Sequence, residues 1–352
     1  MKLTKDSIRF NLLRIPCFFK QLYIYNFSVA LGTFIFPFNI FFCNYKKYIA
    51  VYKHKAILMY LKKKYKHILM NYTDKTDIPE SKIEKDSVIW VCWWDGEEAM
   101  PSLVKSCFSS IKKNAGQHPV KLITKYNYND YISIPEFIIN KVNTGIMTIT
   151  HFSNIIRANL LYEYGGIWLD TTILILKEIS LDNLPFFTLK APAKKSTSIT
   201  LDLFAGLSSN FTHFNFKSKS LKEISRWSGF LLAGSKHSPI FKYMIEILYA
   251  YWKDHDDQID YLLYDYTIAL GYDNIPYIKK IIDNVETSKK EKYELEYRLN
   301  NEYNKVDFQQ LYITTFHKLT WKKKFNIYTN NNKLTNYGYI INNKEFLWQQ
   351  LQ

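Results

Sequence analysis

The sequence predicts an α/β protein, a mostly parallel sheet with flanking helices, together with an α-helical N-terminal region. Three observations predict it. Short apolar runs rich in β-formers at 88–94, 120–124 and 167–169 read as buried strands. The stretches between them keep apolar residues at helical spacing, and strand–helix–strand alternation implies a parallel sheet covered by helices. Residues 1–73 hold 13 Lys and Arg against the single acid Asp6, a net of +12, so charge sets this region apart from the rest.

The whole chain carries +15, which leaves only +3 for everything after residue 73. A nucleic-acid binder would carry its charge on the folded domain, so no nucleic-acid partner is expected. Basic residues mixed with Phe, Tyr and Ile suit an anionic membrane surface instead. Apolar residues at 47% allow a substantial core and exclude global disorder. Cys17, Cys43, Cys92 and Cys107 form no Cys-x-x-Cys pair, so neither a disulfide framework nor a metal knuckle is read, and a reducing, cytoplasmic compartment fits. No cleavable signal is evident in 1–21. Residues 22–44 contain no charge. Three readings stay open for them: a membrane span, an interfacial segment, and a buried helix pair.

Along the chain, 1–80 reads as the basic aromatic region, 81–325 as the main domain and 326–352 as a tail. Residues 52–72 look helical, with Lys62, Lys63, Lys64 and Lys66 clustered, and a polar linker follows at 71–86. After the first strand, Asp95 and Gly96 mark a turn. Pro101 then opens a helix whose Leu103, Val104, Cys107, Phe108 and Ile111 share a face. Gly116 ends it. A strand at 120–124, a helix at 135–142 and a third strand at 146–150 are expected next. Ser153 caps a helix reaching Tyr164, Gly165 stops it, and a strand over 167–169 ends at Asp170. Further on, helices are expected over 239–252, 259–270 and, solvated and charged, 285–303. The Asn- and Thr-rich stretch 328–343 reads as turns or a surface hairpin.

The chemistry concentrates around Asp170. Open parallel sheets bind ligands at the carboxyl ends of their strands, and a carboxylate there suits a hard divalent ion and hence a diphosphate; an ordinary turn carboxylate is the alternative. Asn154 and Arg157 are three apart and share a helix face, and Arg is a strong phosphate partner. Trp93 and Trp94 end the first strand, where one ring could stack on a base while the other packs in the core. Asp265 is the sole charge between Tyr261 and Leu270. It is either solvent-facing or a functional carboxylate whose pKa desolvation raises.

The stretch from His151 to Thr172, with Gly165-Gly166-Ile167-Trp168-Leu169-Asp170 at its end, resembles the signature of bacterial capsular polysaccharide synthesis proteins. These are relatives of the DXD-containing sugar transferases that include yeast mannosyltransferases and large clostridial glucosylating toxins. Residues 89–96, 226–233 and 316–322 agree with the same family. The resemblance covers roughly 85–325 and implies a GT-A-type nucleotide-diphospho-sugar fold, a divalent cation (manganese or magnesium) and a nucleotide-sugar donor. It implies donor binding by Trp93, Trp94, Asp95, Gly96, Asn154, Arg157, Gly166, Trp227, Ser228 and Lys318. Metal binding would fall to Asp170, Thr172 and His317, and catalysis to Asp170. Asp265, isolated in its apolar helix, is separately expected on the acceptor side, as a general base or a stabiliser of developing positive charge. Two departures stand out. Asn154 replaces the Asp that usually precedes the helix Arg, and Thr172 replaces the second Asp of the wider superfamily.

The expected activity is metal-assisted, retaining transfer of a sugar to a growing saccharide or lipid-linked surface glycan. The expected location is cytoplasmic, peripheral on the inner face of the plasma membrane. The alternative is a catalytically weak, membrane-associated assembly protein that kept the fold.

Overall fold

A computed structural model describes residues 14–35, 46–73, 81–192 and 224–342. Residues 36–44 of the uncharged stretch, Cys43, linker residues 74–80 and tail residues 343–352 lie outside this set. The chain divides into two compact units, neither continuous in sequence: residues 246–279 group with the N-terminal region, and the described part of the tail groups with the sheet.

The first unit is helical, as expected. It contains Arg14–Ile24, Phe27–Ile35, Lys46–Lys64, Lys66–Met70 and, later in the chain, Leu263–Asn274. Helix Phe27–Ile35 buries Val29, Ala30 and Gly32. A Cβ on Gly32 would lie 2.9 Å from the Lys53 Cα, so the missing side chain is what lets these two helices meet. Lys53 pairs with Asp260, and His54 bonds the Tyr266 hydroxyl. Among the described residues no helix is long and apolar enough to cross a membrane.

The second unit is built on a five-stranded sheet of order β2-β1-β3-β8-β5. Its strands are β1 (Ile89–Cys92), β2 (Val120–Ile123), β3 (Gly166–Asp170), β5 (Phe186–Thr188) and β8 (Leu231–Gly234). β1 is parallel to β2 and β3, whereas β8 runs antiparallel to both β3 and β5. Four of the five strands therefore point one way, and the sheet is a mostly parallel α/β arrangement with flanking helices. A hairpin-like pair, β4 (Ile173–Ile175) with β9 (Phe316–Lys318), continues past the end of β3, and β6 (Ala191–Pro192) pairs with β7 (Ile224–Ser225).

Side-chain alternation sorts the two faces. Ile89, Val91, Ile167 and Leu169 pack in one core with Val104, Phe108 and Ile111 of helix Ser102–Lys113. Trp90, Trp168 and Asp170 fall on the other face. That face carries helix Ile149–Glu163, which buries Ile155, Ile156, Ala158, Leu160 and Leu161. The helix ends where Gly165 takes φ +69°, a left-handed conformation that glycine adopts without strain.

Three sequence expectations are corrected. Residues 146–150 form no strand: Gly145 turns the chain at φ +75°, Thr148 caps the helix by accepting from the His151 N–H, and the helix starts at Ile149 rather than after Ser153. Cap chemistry overrides the β-like composition there. Residues 285–303 form only the short helix Glu294–Tyr297. Leu295 and Leu299 are fully buried against Leu174 and Leu311, so core contacts, not helix propensity, organise this charged segment. The stretch after 328 keeps the expected turn, with Tyr328 bridged to Leu334, but then forms helix Asn336–Asn342.

Candidate functional site

β3 delivers Asp170 to the carboxyl edge of the parallel strands, beside Cys92 at the end of β1. Arg157 lies two turns into its helix, on the side facing Trp168 and Asp170. Its guanidinium sits 4.7 Å from the Trp168 ring centroid and donates to Asp170 Oδ1 at 3.1 Å. The Trp168 indole N–H donates to the same oxygen at 3.1 Å. Lys318, at the end of β9, donates to Asp170 Oδ2 at 2.9 Å and to Thr172 Oγ1 at 2.6 Å. Both carboxylate oxygens are thus held, one by a guanidinium and one by an ammonium. Arg157 is 6% exposed, and charged bonds of this kind are the strong ones.

Burial pushes the Asp170 carboxyl pKa up, but the charges of Lys318 and Arg157 outweigh it and hold the group below the usual carboxylate range. Asp170 is therefore ionised at neutral pH. Burial raises the neighbouring Cys92 thiol to about 12, which leaves it protonated and rules it out as a nucleophile.

A second cation joins Lys318 on one aromatic ring. Lys318 Nζ lies 4.9 Å and Lys292 Nζ 5.4 Å from the Phe230 centroid, and the Phe230 carbonyl accepts the Asp170 N–H at 3.0 Å. Lys292 donates to Ser228 Oγ at 3.0 Å, which in turn donates to the Leu189 carbonyl at 2.7 Å. Lys292 and Phe230 were not singled out from the sequence. No local pattern links a lysine at 292 to a strand end at 170.

The other expected site residues fall into groups. Trp93 is half-buried at the end of β1, edge-on to Trp321 at 5.8 Å, and Trp94 is half-buried against Tyr128 and Phe152. Neither ring is wholly core. Asp95 is exposed and pairs with Lys125, and Gly96 takes φ +88° in an open turn. Asn154 is buried one turn before Arg157.

Several placements are corrected. Gly166 stands at the opposite end of β3 from Asp170, about 13 Å away at ~3.3 Å per residue, so its role is to let strands meet rather than to touch a ligand. Trp227 is 1% exposed and has no open face for a donor. Ser228 serves as the anchor for Lys292. His317 precedes Lys318 on a strand and so points to the opposite side. Its Nε2 lies 3.0 and 3.1 Å from the Thr314 and Leu311 carbonyls, so it is not a nitrogen ligand beside Asp170. Asp265 belongs to the helical unit, where it is half-buried beside Tyr266.

His317 carries its own consequence. Burial drives its pKa down to about 4, the carbonyl contacts only partly opposing this. The unfolded chain protonates this residue near its ordinary value of 6.5, so stability is full above that pH and falls as pH drops toward 4. In His317→Gln the fall in melting temperature between these two values should be shallower than in wild type. Parallel curves would show that His317 does not titrate in this way.

A divalent cation fits this donor set poorly. The oxygens that would face it, Asp170 Oδ2 and Thr172 Oγ1, are bridged by the Lys318 ammonium. Among the described residues, no group of three or more His, Cys, Asp or Glu is arranged to hold a metal.

No curated protein matches the chain. Among solved structures 6 chains match. One of them, a PaToxG glycosyltransferase, is 16% identical with a TM-score of 0.36, and the match covers 68% of this chain and 83% of that one. The family of capsular polysaccharide synthesis proteins matches residues 38–338, most of the chain, and the protein belongs to that family.

Proposed function

We propose that the protein is a glycosyltransferase that moves a sugar from a nucleotide-diphospho-sugar to a saccharide or lipid-linked surface glycan. The observation that carries this reading is Asp170 held between Arg157 and Lys318 at the ligand edge of a mostly parallel sheet, in a chain of the capsular polysaccharide synthesis family. Such an edge suits a diphosphate, and two fixed cations suit the charge that develops when it leaves.

In the transfer, the bond between the anomeric carbon and the β-phosphate oxygen breaks. The electron pair departs with the nucleoside diphosphate. An acceptor hydroxyl oxygen bonds to the anomeric carbon, and its proton goes to water. Arg157 and Lys318 neutralise the departing phosphate, Asp170 keeps the two cations apart and oriented, and the Trp93 edge offers a surface for the base. The product keeps the donor's anomeric configuration, which proton NMR of the product reads directly. Incubation with labelled nucleotide-sugars and a capsular glycan acceptor tests the activity. Labelled glycan supports the reading, and an intact, folded protein that transfers from none of the common donors sinks it and favours an assembly role.

The N-terminal region attaches the enzyme to anionic membrane at the cytoplasmic face. Besides its +12, it exposes Phe19, Tyr23 and Phe27, at 60%, 92% and 59%. Each Lys or Arg near such lipids contributes about 1 kcal/mol. The protein should sediment with phosphatidylserine vesicles at low salt and be released by high salt. Equal, weak sedimentation with anionic and neutral vesicles would rule this out.

A further inference from the structure

The Lys318 ammonium stands where a divalent cation would have to stand. It bonds the carboxylate at the strand end, Asp170, through Oδ2 at 2.9 Å, and the residue two places on, Thr172, through Oγ1 at 2.6 Å. It is held there from two further directions. Its backbone N–H donates to the Lys292 carbonyl at 3.0 Å, and its ammonium lies 4.9 Å from the Phe230 centroid. Lys318 is thus fixed by strand pairing, not swung in on a mobile loop. β9 pairs with β4 in the register that sets Ile173 opposite Lys318.

The formal charges point the same way. Arg157 and Lys318 both bond Asp170, and Lys292 shares the Phe230 ring with Lys318, so three cations gather around this carboxylate. A divalent ion would have to displace Lys318 from both oxygens, and would then face that ammonium at close range. A lysine is also the simpler phosphate partner, since it binds as a compact point charge and needs no octahedral ligand set.

We infer that Lys318 takes the place of the divalent cation, so that this enzyme binds the donor diphosphate, and releases it, without a metal ion. Thr172 at the position of a second carboxylate follows from the same design: its hydroxyl accepts from the ammonium without adding a charge that would attract a metal. The inference rests on the donor reading above, and the test separates the two.

Uridine, guanosine and cytidine diphosphate are titrated into the full-length protein by calorimetry, once in excess chelator and once with manganese. The diphosphate that binds should do so with the same affinity in both, within about threefold. Lys318→Gln should weaken binding in chelator by about 10–100-fold, a lost charge-assisted bond, and manganese should restore part of it because Asp170 and Thr172 are then open. Lys318→Arg, which keeps the charge, should keep binding that chelator does not abolish. It also serves if Lys318→Gln proves unfolded by circular dichroism. Wild-type binding that appears only with manganese, or Lys318→Gln binding as wild type in chelator, overturns the inference and leaves the donor reading intact. Absence of binding for all three diphosphates under both conditions overturns the donor reading, and this inference with it.

Discussion

Asp170→Asn is expected to lower transfer by about 10²–10³-fold, the scale set by removing one preorganised charge contact from a transfer site. The substitution keeps the shape and one acceptor oxygen. It removes the charge that fixes Arg157 over Trp168 and draws Lys318 to the same strand end. Arg157 is buried and loses this charged contact, so a stability loss of about 1–3 kcal/mol should accompany the loss of rate. The cost stays below that of a wholly buried pair because the Asp170 side chain is 30% exposed. Transfer assays and thermal melts on the same preparation separate the two effects. Activity within threefold of wild type, in a protein with the wild-type melt, would remove Asp170 from the mechanism.

Gly166→Ala should be the most damaging single change in the sheet. Gly166 has φ +96°, and a Cβ there would lie 2.2 Å from the Val88 carbonyl oxygen. That oxygen accepts the Ile167 N–H at 2.9 Å, the bond that starts the β1–β3 pairing. The new methyl group would meet backbone on a neighbouring strand, which cannot swing aside as a side chain could. A loss of at least about 3 kcal/mol is expected. Gly96→Ala is the control: its φ of +88° is also left-handed, but nothing lies within 4 Å of the added Cβ. Only the backbone strain of about 1–2 kcal/mol should appear. Urea denaturation of the two variants checks this, and equal losses would show that the strand contact at Gly166 is not limiting.

The part of the site that can be read from sequence is the part built by consecutive residues. Helical spacing aligned Arg157 with the strand that follows, Gly165 closed the helix, and the apolar run ended at a carboxylate. Those features are local, and all of them are present in the structure. What escaped depends on long-range closure or on parity. Lys318 is named only through the family resemblance, as a donor contact, and its bond to Asp170 spans 148 residues; the bond from Lys292 to Ser228 spans 64. No spacing rule connects such pairs. His317 and Lys318 are adjacent on β9, and strand alternation lets only one of them face Asp170. The length of β3 put Gly166 and Asp170 at opposite ends of one motif. At 146–150 the apolar pattern suggested a strand, but the Thr148 cap decided for helix. The charged stretch near 285–303 hid its structural role because its core anchors, Leu295 and Leu299, are scattered among charged residues.

The central claim is that the Arg157–Asp170–Lys318 cluster is where the donor's diphosphate binds. Thermal shift of wild type and Arg157→Ala against a panel of nucleotide-diphospho-sugars tests it most directly. One class of donor should raise the wild-type melting temperature. The same donor should shift Arg157→Ala far less, with affinity lower by about 1.5–3 kcal/mol in follow-up calorimetry. A folded Arg157→Ala variant that responds to the donor as strongly as wild type would contradict the account.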